Sequence, residues 1–223
     1  SVEKIGQLVE VWKDRYEELA ERKDINYVFI FENKGEAIGV TIHHPHGQIY
    51  AFPFIPPKVQ RAIANEEAHY ESTGRCLHCD LIAQELNDGR RIVARNDGFV
   101  AFVPFYARYP YEVHIYALEH LPSISEFCTA TCNSLASLLH TVLRKYDNLW
   151  GISMPYMMVM HQNPTDGEPH MGSHFHIEFY PPLRTAEKLK YLAGCESGAG
   201  TFVNDTLPEE KAFELRQAEP TTE

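Results

Sequence analysis

Val2, Ile5, Leu8, Val9, Trp12, Tyr16 and Leu19 recur at intervals of three or four residues, the period at which one face of a helix meets a core. The spacing predicts an amphipathic helix over 2–22. The β-branched and aromatic run INYVFIFEN (25–33) then predicts a strand. KGEAIG turns the chain, and VTIHHPHGQIYAFPF (40–54) reads as extended, stopping at Pro56-Pro57. Farther along, Leu135, Leu138, Leu139, Val142 and Leu143 predict a helix over 124–146, followed by strands in YMMVMHQN (156–163) and SHFHIEFYPP (173–182) with a loop between them. Between these blocks, GRCLHCDLIAQEL (74–86) is a CxxC running into a short helix. RRIVARN and FVAFVPF form a hairpin around Asn96-Asp97-Gly98. YEVHIYALEHLPSI (111–124) is a strand ending at His120, and the acidic stretch from Glu209 to Glu223 is a short helix.

The helix–strand–loop–strand order thus occurs twice. Asn33 and Asn163, His44 and His174, His46 and His176, Gln48 and Glu178, and Tyr50 and Tyr180 are each 130 residues apart. Five matched positions inside a repeated order of elements point to internal duplication. The expected fold class is α+β, an antiparallel sheet built from two repeats with helices packed on it. Residues 1–72 form the C-terminal half of a first repeat, and 73–223 a second, complete one. The CxxC and its following hairpin have no counterpart before residue 1, so the N-terminal half of the first repeat is expected to be missing.

A net charge of −11 repels nucleic-acid backbones and anionic membranes. A single phosphorylated ligand stays within reach of local N–H donors. No run approaches the roughly 18 apolar residues of a membrane span and no leader pattern is visible, so a cytoplasmic location is expected. Five cysteines are an odd number, which argues against a secreted disulfide framework. Cys76 and Cys79, at CxxC spacing, join His120 and His174 as the donors of a tetrahedral Cys₂His₂ zinc site; the alternative is two buried thiols and two idle histidines. His78 is expected to point away from the ion, Cys128 and Cys132 to pack in the core, and Cys195 to bind nothing.

His44, His46 and Gln48 alternate along one extended segment and share a face. Pro45 stiffens that segment, and Gly47 allows close approach. A neutral imidazole whose other nitrogen is tied to an acceptor can attack phosphorus, and an amide beside it can hold a phosphoryl oxygen. A polar edge strand with no chemistry is the plainer reading of the same residues.

His44-Pro45-His46-Gly47-Gln48 resembles the active-site signature of the galactose-1-phosphate uridylyltransferases, a branch of the histidine-triad superfamily. FENKGEAIGVTIHHPHGQIYAFPFIPP and HFHIEFYPPLR are similar to the same family, and the resemblance covers nearly the whole chain. It implies that His46 attacks the α-phosphorus of UDP-glucose, giving a uridylyl-histidine from which galactose 1-phosphate takes the uridylyl group. Gln48 would hold the phosphoryl oxygen, Asn33 would lie near the phosphates, and His44 would be a metal ligand of the first repeat. Lys190, Tyr191 and Glu196 match a segment that contacts the hexose, often across a homodimer; an ordinary helix end is the plainer reading. Some members hold a second metal with a glutamate after the signature and three later histidines. Here those positions read Ala62, His161, His176 and Glu178. Cys76, Cys79, His120 and His174 resemble instead the second zinc site of plant-type nucleotide-sugar phosphorylases. Two alternatives accompany the transferase: a nucleotide-sugar or dinucleotide phosphorylase, and an inactive zinc-stabilised dimerising module. With half a repeat absent, this chain alone is expected to be weak or inactive.

Overall fold

Among the described residues, seven strands form one antiparallel sheet in the order β2-β1-β6-β7-β5-β4-β3. They are β1 (Tyr27–Lys34), β2 (His46–Phe52), β3 (Ile92–Arg95), β4 (Phe99–Phe102), β5 (Val113–Ala117), β6 (Tyr156–His161) and β7 (His176–Tyr180). The helices are α1 (Val2–Ala20), α2 (Pro57–Thr73), α3 (Leu77–Asp88), α4 (Thr129–Leu149), α5 (Gly194–Ala199) and α6 (Pro208–Gln217), with a small hairpin of β8 (Leu183–Thr185) and β9 (Lys188–Leu189). The structure is a computed structural model that describes residues 1–40 and 46–219, without the side chain of His46. His44 therefore lies outside the described residues.

Strand alternation divides the sheet into two unlike faces. Val28 and Ile30 of β1, Met158 and Met160 of β6, Ile177 and Phe179 of β7, and Val113 and Ile115 of β5 point one way. They are 2% exposed or less and pack with Val9, Trp12 and Tyr16 of α1 and Leu135, Leu139 and Val142 of α4. The opposite face carries the polar chemistry. Its register sets Asn33 against both His46 and Met157, and Met157 against Tyr180. The next row runs Gln48, Phe31, Val159, Glu178, His114. Part of this face is roofed by α2, whose Val59 and Ile63 cover Tyr27, and by α3, whose Ile82 packs on Val100, Phe102 and Tyr116.

The two similar hairpins meet where β1 pairs with β6. Phe31 faces Gln48 in the first, while His161, 130 residues after Phe31, faces His176 rather than Glu178 in the second. The gapless offset in sequence thus becomes a two-residue slip in pairing. An even slip keeps every side chain on its own face, whereas an odd one would exchange the faces.

Several element boundaries differ from the sequence expectation. The fourth helix begins at Thr129; Ile124–Glu126 form a separate 3₁₀ turn that buries Ile124 and Phe127 beneath the sheet. Cys128 is consequently the N-cap of α4 and exposed, bonding Thr131 Oγ1 at 3.2 Å, while Cys132 alone enters the core. The pairing of the two cysteines in the core is thereby corrected. Helix α2 lies where the sequence pattern predicts no helix. Pro57 at its first turn, Val59 and Ile63 on one face and Gly74 at its C-cap are ordinary helix signals, masked by the Pro-Pro pair that reads as a terminator.

Phe179 is fully buried, with ring centroids of Tyr156 at 5.3 Å and Tyr146 at 5.9 Å. Phe179→Ala is expected to cost about 3–5 kcal/mol, read as a lowered urea midpoint at unchanged slope.

Candidate active site and metal centre

Gln48 is exposed on β2, one strand from the half-buried Asn33 of β1. The backbone of His46 pairs with that of Asn33 at the start of β2, and Asn33 and Gln48 share the polar face near the sheet edge. Lys190, just after β9, and Glu196, in the first turn of α5, gather in a second place. Lys190 Nζ lies 3.6 Å from Glu196 and donates to the carbonyl of Val203 at 2.5 Å. Glu196 accepts from the backbone N–H groups of Ala193 and Val203. Those N–H groups and its place in the first turn of α5 hold its carboxyl below the usual range. Tyr191 stands clear of this knot at 78% exposure.

Cys76, Cys79, His120 and His174 converge so that one donor atom from each lies within 4.8 Å of all the others. The cysteines open α3, Cys76 at its N-cap and Cys79 in its first turn. Neither histidine lies in a strand, contrary to expectation: His120 follows β5 by three residues and His174 precedes β7 by two. The sheet ends there, which frees both rings to turn toward α3. His174 Nε2 donates to the carbonyl of Ala117 at 2.9 Å, leaving Nδ1 unprotonated and aimed at the thiols. Burial drives the His174 imidazole down to about 4, so it is a neutral donor at pH 7. Burial pushes the Cys76 thiol up to about 12.

These residues fit a tetrahedral zinc ion. Bonds of about 2.3 Å to sulfur and about 2.0–2.1 Å to nitrogen place tetrahedral S and N donors about 3.6 Å apart. His174 Nδ1 lies 3.6 Å from Cys76 Sγ and 3.5 Å from Cys79 Sγ, and His120 Nδ1 lies 3.7 Å from Cys79 Sγ. Four protein donors leave no open coordination position, so an ion held there would tie α3 to the ends of β5 and β7 rather than activate a ligand.

His78 turns away from the four donors, its Nε2 bonded to Glu66 of α2 at 2.8 Å. Two further features brace the loop that carries His174. Gly172 presses on the backbone of Glu66, where an added Cβ would fall 2.9 Å from the carbonyl carbon. His170 bridges Glu67 at 2.8 Å and Asp166 at 3.1 Å through its two ring nitrogens. Burial lowers the His170 imidazole, but the two carboxylates outweigh it and raise it above its ordinary value. The outward turn of His78 agrees with the sequence expectation, whereas its partner Glu66 and the His170 bridge carry no local sequence signal, because they depend on the unforeseen helix α2 and on the loop at Asp166.

Family models for the galactose-1-phosphate uridyl transferase N-terminal and C-terminal domains match residues 1–56 and 62–221. A galactose-1-phosphate uridylyltransferase of Thermotoga maritima is 42% identical over 98% of this chain and 68% of its own. That of Schizosaccharomyces pombe is 38% identical over 97% of this chain and 61% of its own. Among solved structures, a uridylyltransferase superposes with a TM-score of 0.92 at 37% identity, covering 98% of this chain and 68% of that one. An Arabidopsis thaliana ADP-glucose phosphorylase with bound ADP-glucose gives 0.83 at 25%, over 96% and 66%. The fold is shared with a uridylyltransferase and an ADP-glucose phosphorylase. The chain belongs to the galactose-1-phosphate uridylyltransferase family, and it spans roughly half to two-thirds of the length of the curated relatives it matches.

Zinc affinity is expected to rise about tenfold per pH unit for each thiol proton displaced near neutrality, measured by competition with a chromophoric chelator between about pH 6 and 8. A flat profile would count against thiolate ligation. His170 supplies a second expectation. A group raised in the folded state stabilises fully below its unfolded value and loses that contribution as pH rises through the folded value. The stability gap between the wild type and His170→Ala should therefore be widest near about pH 6 and narrow toward about pH 8, read from urea midpoints.

Proposed function

We propose that the chain carries the nucleophile of a UDP-glucose–hexose-1-phosphate uridylyltransferase. His46 attacks the α-phosphorus of UDP-glucose. A P–N bond forms as the bond from that phosphorus to the bridging oxygen breaks, and glucose 1-phosphate leaves with the oxygen. A phosphate oxygen of galactose 1-phosphate then attacks the same phosphorus, the P–N bond breaks, UDP-galactose departs and His46 returns to neutral imidazole. Gln48 donates to a phosphoryl oxygen in both halves of the cycle, and Asn33 binds beside it. His44 serves a metal of the first repeat, and zinc occupies the Cys76, Cys79, His120 and His174 site. Lys190, Tyr191 and Glu196 serve the hexose, presented by the second subunit of a cytoplasmic homodimer. The exposed Tyr191 suits an approach from another chain.

The single observation that best supports this reading is the β1–β2 register. It brings Asn33 opposite His46, with Gln48 on the same polar face, in a chain whose relatives bear the name of this activity. Attack requires one ring nitrogen to stay protonated and held by an acceptor while the other is free. His176, 130 residues after His46, has that arrangement, its Nδ1 donating to the carbonyl of His174 at 2.8 Å.

A phosphorylase is the second reading, favoured by the closed Cys₂His₂ set and by the similarity to the ADP-glucose phosphorylase. Intact-mass measurement after incubation with UDP-glucose is expected to show a uridylyl adduct that disappears in His46→Ala. Chasing the adduct with galactose 1-phosphate or with inorganic phosphate separates transferase from phosphorylase. A fully metallated protein that forms no adduct would leave only the dimerising module.

A further inference from the structure

His161, His176 and Glu178 form a second group of buried donors, with one atom of each within 4.8 Å of the others. Proximity alone suggests a second metal site, but the surroundings do not. Glu178 Oε2 lies 3.1 Å from His161 Nε2, 3.4 Å from the Arg108 guanidinium and 3.7 Å from Lys58 Nζ. Its Oε1 faces His114 Nε2 at 3.6 Å and His176 Nε2 at 3.8 Å. The Arg108 guanidinium, which Glu112 also engages, and the exposed Lys58 ammonium already face this carboxylate, and a divalent ion would add a further positive centre at contact range. The rings of His161 and His176 are stacked, 4.7 Å between centroids and 7° from parallel. Stacked rings direct their lone pairs side by side rather than at one point. Arg108 is itself fixed by Glu112 at 3.0 Å and by Tyr180, whose hydroxyl accepts from it at 2.7 Å.

Beside this network lies a cavity of about 10 Å³ lined by Tyr27, Ala62, Glu66, Gln162, His161 and His176. That is close to the smallest space that holds a water molecule. Tyr27 Oη and Gln162 Nε2 are buried there with no hydrogen-bond partner among the described residues, although Gln162 Oε1 is used by the Ile124 N–H at 3.3 Å. Two orphaned polar groups in so small a polar cavity call for one bridging partner that can both accept and donate.

We infer that His161, His176 and Glu178 form a metal-free network, neutralised by Arg108 and Lys58 and completed by one internal water between Tyr27, Gln162 and Glu66. The position where some relatives place a second metal is here an ion-pair cluster. The inference does not depend on the proposed reaction, and among the described residues it leaves the cysteine set as the metal site.

Metal content of the purified chain, by inductively coupled plasma mass spectrometry, tests it. One equivalent is expected at the described residues, released by a mercurial that titrates thiolates and retained in Glu178→Gln, and an ion held through His44 is unchanged by Glu178→Gln. Metal that survives the mercurial and is lost in Glu178→Gln would overturn the inference. A chain with no metal would leave the inference standing and remove the Cys₂His₂ reading, so the two fail separately. Stability gives the second arm. Arg108→Ala strands a buried carboxylate and should lower Tm by roughly 5–10 °C. Adding Glu178→Gln should recover part of that loss. No recovery would assign Arg108 to packing on Tyr180 and overturn the network.

Discussion

The period of two along a β-strand governs everything else in this molecule. Neighbouring side chains must leave the backbone in opposite directions, and seven paired strands carry that rule across one sheet. Every residue that supports the core therefore has a neighbour available for chemistry. Met158 and Met160 face α1 and α4, while Val159 and His161 face the polar side. The polar face is not a pocket cut into a core but the reverse of the surface that holds the core together. The two-residue slip between the hairpins is tolerated because it preserves this parity.

Two clusters of histidine with acidic or sulfur partners stand close together on that face, yet they suit different occupants. The first has cysteines whose protons a metal displaces, at spacings matching a tetrahedron. In the second, Glu178 already faces Arg108 and Lys58. Counting donor atoms would make the two sites equivalent. Counting charge separates them, because a buried cation is stabilised only where negative charge remains uncompensated.

Much of this was legible in sequence. The helical spacing from Val2 to Leu19 found α1, the alternation in INYVFIFEN found β1, and CxxC with two distant histidines found the four converging donors. The legible features are local or periodic. Arg108, Lys58 and Glu66 were not legible, since each acts through a partner on another element, such as Glu178 or His78, and no local pattern announces a pairing of that kind. Helix α2 was hidden by Pro56-Pro57, which starts a helix here as readily as it ends a strand. The shift of His120 and His174 off the strand ends has a similar cause. Propensity marks where a strand is favourable, while the demands of the donor cluster decide where it stops.

Gly172 touches no substrate and binds nothing through a side chain, yet it sets the spacing of the centre beside it. The Cys76 thiol reaches its carbonyl at 3.5 Å, and the backbone of Glu66 leaves no room for even a methyl group. The smallest possible side chain thus acts as a gauge between α2 and the loop bearing His174. Sequence drift at this one position would be read by the cysteine-histidine cluster as a change in distance, even with all four donors intact.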